Sequence, residues 1–234
     1  MDPKPMSSGA DITITAADGH VLSAYLVEPS VTAKGGLVVC QDAYGVGEYI
    51  KSVCDHYGRL GYKVIAPAFY DRQRMGAVFD HSLESRTAAG ALRKALDWDL
   101  MVADAAAAIA RVVDAGQTGI LGFCVGGSMA WYCAHRLPLH AASCYYGKDI
   151  VDWLDQPPAC ATELHYGMND HLIPAHDIET VRLACPHMDF HAYAAGHGFD
   201  GAGKGRDEAS SHTARARTAA FFAKHLAGDT ASSS

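Results

Sequence analysis

The chain has 234 residues, 49% of them hydrophobic, and a formal charge of -7. That length and apolar content suit a single α/β domain with a sizeable core, spanning residues 1–234. The acidic balance and the lack of a basic run argue against a nucleic-acid partner or an anionic membrane surface, and no apolar stretch is long enough to span a bilayer.

The first residues, "MDPKPMSSGAD", lack the basic-then-apolar order of a secretion signal. Seven cysteines occur, at 40, 54, 124, 133, 144, 160 and 185. An odd, scattered set with no C-x-x-C argues against a disulfide framework and for a reducing cytoplasm. Most of these cysteines read as small core hydrophobes.

In chain order, "ITIT" and "VLSAYLV" read as an antiparallel hairpin with Asp18-Gly19 as its turn. "GLVVCQD", Gly36 to Asp42, is an apolar strand. "YIKSVCDHYGRLG" has helical periodicity and stops at Gly61. "KVIAP" is the next buried strand, and a loop-rich stretch follows from Ala68 to about Gly90. A long alanine-rich helix runs through "WDLMVADAAAAIARVVDA". "TGILGF" is a strand leading into Cys124, with the helix "VGGSMAWYCAHRL" behind it. "AASCYYG" and "ATELHYG" are further strands, and "PAHDIETVRLAC" is a helix with proline in its first turn. "MDFHAY" is a last strand and "DEASSHTARARTAAFFAKHLA" a closing helix. The polar tail from about residue 228, "GDTASSS", reads as frayed. Strands alternating with helices call for a mostly parallel sheet covered on both faces.

Ligands of such sheets bind at the carboxyl ends of the strands. Four predicted strand ends carry reactive groups: Asp42, Cys124, Asp170 in "MNDH" and His197 in "AAGHGF". Gly122, Cys124 and Gly126 spell G-x-C-x-G, the elbow pattern that usually carries serine. Nucleophile, acid and base follow in the order Cys, Asp, His, the chain order of serine hydrolases with the α/β-hydrolase fold. A thiolate attacks where a thiol does not, so it needs a base or a positive charge beside it. His197 supplies the proton transfer, and Asp170 orients and stabilises the imidazolium. The helix after Cys124 points its positive end at the sulfur. Val125 offers its amide to an oxyanion.

Each residue alone has a commoner reading: a packing turn for Cys124, a helix cap for Asp170, a surface loop for His197. Jointly, three matching residue types at three strand ends in the right order favour the triad. The remaining histidines are weaker. His187 and His191 would share a strand face, and His165, His171 and His176 cluster in sequence. No H-E-x-x-H or C-x-x-C supports zinc, so no metal is assigned. Tyr145 and Tyr146 close a strand, and either is a candidate to line the pocket.

"QDAYGV", "GFCVGG", "CYYG", "GMNDHLIP" and "AAGHGF" together resemble the dienelactone hydrolase (carboxymethylenebutenolidase) family, from the hairpin to the last helix. The resemblance implies an α/β-hydrolase fold with a mostly parallel sheet and an N-terminal antiparallel hairpin. It also implies a cofactor-free enzyme that opens a small unsaturated lactone or ester through an acyl-cysteine. Carried over position by position, Cys124 is the nucleophile, His197 the base and Asp170 its partner. Ala43 supplies the second oxyanion amide beside that of Val125. Asp42 stands where the family has a glutamate against the resting thiol. Tyr44, Tyr145 and Arg86 join it as substrate-binding residues, Arg86 as one of two carboxylate-binding arginines. The second arginine is missing: Asp200 and Gly201 occupy its place, with Lys204 or Arg206 as substitutes and Arg72 and Arg74 as further candidates. Loss of that clamp opens an alternative substrate, a less acidic ester or lactone.

The expected partner is a small molecule, and the expected state a monomer or weak homo-oligomer. Two rivals from other classes are a non-catalytic α/β-hydrolase-fold binding protein and a metal-dependent hydrolase built on the histidine clusters.

Overall fold

A computed structural model describes residues 9–227; the predicted frayed tail lies outside them. One eight-stranded sheet runs through the fold in the order β1-β2-β4-β3-β5-β6-β7-β8. β1 (Ala10–Thr15) and β2 (Val21–Val27) form the predicted antiparallel hairpin, and β2 also runs antiparallel to β4 (Lys63–Pro67). Gly19, at φ 86°, makes the turn, where a side chain would be strained. β3 (Gly36–Cys40), β5 (Thr118–Phe123), β6 (Ala141–Tyr145), β7 (Ala161–Gly167) and β8 (Asp189–Tyr193) are parallel to their neighbours. Every residue of β3, β5 and β6 is buried, as expected of strands covered on both faces.

The helices are α1 (Glu48–Arg59), α2 (Leu83–Lys94), α3 (Trp98–Ala110), α4 (Val125–Arg136), α5 (Ala175–Ala184) and α6 (Glu208–His225). Side chains alternate across a strand. On β5, Gly119 abuts Phe222 of α6, while Gly122 abuts Gly126 of α4. These residues have opposite parity, so α6 and α4 cover opposite faces. None of the helices among the described residues is long and apolar enough to cross a membrane.

The predicted loop from Ala68 to Gly90 is corrected by α2. Ser82 caps that helix by accepting the Ser85 amide at 3.2 Å. Of its twelve residues only Ala89 is buried, so no apolar stripe marked it as helix. The other differences are at element ends. β3 stops two residues before Asp42. "VVDA" leaves α3 and closes in a short turn, Val113–Ala115. Pro174 is the cap of α5, just before its first turn.

Candidate active site

Cys124 follows β5 and precedes α4, with φ 57° and ψ -117°. A non-glycine residue held there costs about 1–3 kcal/mol and persists only where its surroundings enforce it. The enforcement is visible. The Cys124 amide donates to the Tyr145 carbonyl at 3.0 Å, and its own carbonyl accepts from Gly127 at 3.0 Å and Ser128 at 3.2 Å. A Cβ on Gly122 would overlap the Gly126 carbonyl. A Cβ on Gly126 would overlap the carbonyls of Gln41 and Cys40. The glycines of G-x-C-x-G therefore let strand, helix and the end of β3 meet around one strained residue.

The strands β7 and β8 deliver the other two groups. Asp170 Oδ2 lies 2.7 Å from His197 Nδ1. Its Oδ1 accepts the amides of Leu172 at 2.7 Å and Ile173 at 3.1 Å. One oxygen thus organises the turn before α5, and the other orients the imidazole. The side chain of Asp170 is 0% exposed and that of His197 10%, so the pair works largely out of water.

His197 Nε2 is buried and makes no hydrogen bond of ordinary geometry. The Cys124 sulfur nevertheless sits close enough to act on it as a charge. Burial alone would lower the pKa of His197. The hydrogen bond to Asp170 and the influence of Cys124 outweigh that and raise it to about 9. Since this pKa lies above the ordinary 6.5, the stabilisation of the imidazolium is complete below pH 6.5 and is lost as pH rises through about 9. His197 should therefore titrate near pH 9 by NMR, and removing the Cys124 sulfur should move it down. A titration near 6.5 in the unaltered protein would contradict the pairing.

The turn after β3 faces this elbow. Asp42 Oδ1 accepts the Tyr44 amide at 2.8 Å, and no hydrogen bond joins Asp42 to Cys124 among the described residues. The shorter carboxylate is folded into its own turn. Burial raises its pKa to about 6 against the opposing Tyr44 bond. The amides of Ala43 and Val125 have no acceptor among the described residues, as two oxyanion donors would require. Tyr70 Oη donates to the Ala43 carbonyl at 3.1 Å. Gln41 Oε1 accepts the Phe69 amide at 3.1 Å, which ties this turn to the end of β4. The Tyr44 ring packs on His81 at 4.2 Å.

The other predicted binding residues divide. Tyr145 lies in the core, 1% exposed, with Oη 2.7 Å from Thr218 Oγ1. Its neighbour Tyr146, at φ 38°, packs its ring against His197 at 5.0 Å. β6 ends at Tyr145, and the positive φ of Tyr146 turns its ring to His197. Arg86 is exposed on α2, without an ion pair among the described residues. It shares a helical stripe with buried Ala89 and with Arg93, whose guanidinium is 2.9 Å from Asp149. The charge of Arg93 reaches the Tyr70 phenol. Arg93, Tyr70 and Gln41 were not singled out from sequence; only long-range contacts reveal them.

Arg72 is no carboxylate clamp: it pairs with buried Asp104 at 2.7 and 2.8 Å and with Asp18 at 2.8 Å. Arg74 is exposed over the Phe79 ring, and Lys204 is exposed. Arg206 pairs with Glu208 at 2.5 Å. Asp200 is wholly buried and holds Arg215 at 2.7 Å, Tyr49 Oη at 3.0 Å and the Ser211 hydroxyl. A cavity of 610 Å³ between the hairpin and residues 76–78 shares no residue with the triad. His171, His176 and His187 are exposed, and His187 precedes β8, so the predicted face shared with His191 does not form.

Comparison with known proteins fits this geometry. The family model described as "Dienelactone hydrolase family" matches residues 22–226. The carboxymethylenebutenolidase of Pseudomonas putida is 29% identical over 199 residues, covering 80% of this chain and 84% of the relative. A provisionally named dienelactone hydrolase of Klebsiella pneumoniae superposes with a TM-score of 0.80 at 26% identity, covering 92% of this chain and 99% of that one. An esterase of Pyrococcus furiosus, Pf2001, shares the fold at a TM-score of 0.71 and 13% identity, covering 94% and 93%. The chain belongs to the dienelactone hydrolase family and is a hydrolase of esters and lactones built on the α/β-hydrolase fold.

Proposed function

We propose that the chain opens a small ester or lactone through an acyl-cysteine on Cys124. The observation that carries this reading is the Cys124 elbow, strained at φ 57° beside a buried imidazole–carboxylate pair of 2.7 Å. The Cys124 sulfur stands beside His197, and transfer of the thiol proton to Nε2 gives the attacking thiolate and an imidazolium. Sulfur adds to the carbonyl carbon, and the carbonyl oxygen takes the negative charge toward the Val125 and Ala43 amides. Collapse breaks the carbon–oxygen ester bond, and the leaving oxygen takes the proton of His197 Nε2. Neutral His197 then accepts a proton from water as the hydroxyl adds to the thioester. Sulfur leaves as thiolate, and the imidazolium is restored. Asp170 holds the ring throughout. No step calls for a cofactor.

A dienelactone, which carries a carboxylate, is the first candidate substrate, with Arg86 as its anchor. A specific observation favours a second, less acidic substrate. Where a second arginine is expected, buried Asp200 spends its charge on Arg215, Tyr49 and Ser211. One exposed arginine grips a carboxylate less firmly than two. Arg86→Ala decides between them. An acidic substrate predicts a KM for acidic lactones raised about tenfold or more, with neutral esters unaffected. Equal effects on both classes would remove Arg86 from the binding site.

A further inference from the structure

The geometry points to a zinc site formed by Glu163, His165 and His191, on the sheet face that α6 covers. Glu163 and His165 are two apart on β7 and so share a face, and His191 is the register partner of His165 on β8. Glu163 Oε1 is 3.0 Å from His165 Nε2, and Glu163 Oε2 is 3.6 Å from His191 Nε2. The three ligand atoms lie within 4.8 Å of one another. A tetrahedral zinc with bonds of roughly 2.0–2.2 Å has ligand–ligand edges of about 3.4 Å. Two histidines and a glutamate supply three corners and leave the fourth to water.

The surroundings are those of a prepared site. Ser143 Oγ donates to Glu163 Oε1 at 2.7 Å. His165 Nδ1 is 2.8 Å from Tyr193 Oη, which fixes the ring through its outer nitrogen, as ligating histidines are commonly fixed. The His165 ring stacks on Tyr145 at 4.2 Å and 15°. Thr218 Oγ1 of α6 lies 3.2 Å from His165 Nε2. Glu163 is 1% exposed and its carboxylate faces the two histidines, with no lysine or arginine ion pair among the described residues, so it presents a buried negative charge for a divalent cation. Zinc would bind the lone pair of His165 Nε2, with the ring in the tautomer whose proton sits on Nδ1 and is donated to Tyr193 Oη. The His191 side chain, 23% exposed on the edge strand β8, gives a route in.

The site shares no residue with the triad, yet it joins the two strands that deliver it. β7 leads to Asp170 and β8 to His197, so the metal would fix their spacing as a structural clamp. The His165 carbonyl also accepts the Tyr146 amide at 2.8 Å, beside His197.

The test uses chelator-stripped full-length protein in a Cys124→Ala background, so that the nucleophile offers no thiolate. Titration with zinc chloride should show one zinc bound per chain and a rise in Tm. His191→Ala, at a partly exposed position, should weaken binding at least ~100-fold, beyond the 10–100-fold typical of an outer partner, and abolish the Tm rise. Cobalt(II) added to the Cys124→Ala protein should give d–d bands of a four-coordinate nitrogen–oxygen site without a thiolate charge-transfer band. Zinc that fails to bind, zinc that binds equally well to the His191→Ala protein, or a cobalt spectrum with a thiolate band would overturn the assignment.

Discussion

Cys124→Ala abolishes ester turnover while leaving the fold and its Tm nearly unchanged. The variant removes only the sulfur and keeps the Cβ, so the elbow stays as strained as before. His197, Asp170 and the two oxyanion amides also remain. Loss of a nucleophile that acts as one unit with its base typically costs about 10⁶-fold in kcat, with residual catalysis from the oxyanion amides and binding. Cys124→Ser is the finer probe. Serine starts from a far higher pKa and depends wholly on His197 to remove its proton. A weak but measurable esterase is expected from it. Turnover of the alanine variant at the original rate, measured with an activated nitrophenyl ester, would remove Cys124 from the chemistry.

Gly126→Ala has the second-largest expected effect, and it acts through backbone. The added Cβ would overlap the carbonyls of Cys40, the last residue of β3, and of Gln41 just after it. Those carbonyls cannot yield like the tip of a flexible side chain. β3 pairs along its whole length with β5, so moving it disturbs the sheet at its centre. Overpacking of this kind costs about 2–3 kcal/mol, which for a chain of this size is a fall in Tm of roughly 5–10 °C. The same shift displaces Asp42 and Ala43 from the elbow, and a misplacement of about 1 Å costs on the order of 100-fold in rate. Thermal unfolding and kcat/KM together check the prediction. A variant that keeps both would show that β3 and α4 have more room than the contacts allow.

The grouping of Cys124, Asp170 and His197 was legible in the sequence because each sits within a few residues of the end of a predicted strand. A parallel sheet gathers its strand ends, so the order Cys, Asp, His implied proximity before any coordinates. The glycines of the elbow were legible for the same reason, since G-x-C-x-G encodes a local backbone shape. α2 was not legible, because it buries only Ala89 and has no apolar stripe to read. The pairing of Asp200 with Arg215 across fifteen residues was out of reach, since nothing local marks either as a partner. Tyr145 and Tyr146 show the limit of strand-end reasoning. The rule found the pair, but only the turn at φ 38° shows which ring turns to His197. Asp42 stands where the resemblance places a glutamate, and only the structure shows its carboxylate engaged with the Tyr44 amide at 2.8 Å.

The central claim is that Cys124 carries the acyl group. Rapid acid quenching during turnover of a slow activated ester, followed by intact-mass and peptide mass spectrometry, tests it directly. The account predicts one acyl group per chain, located on the peptide that contains Cys124, absent from Cys124→Ala and lost on treatment with hydroxylamine. An unmodified Cys124 during steady turnover, or an acyl group on another residue, would contradict it.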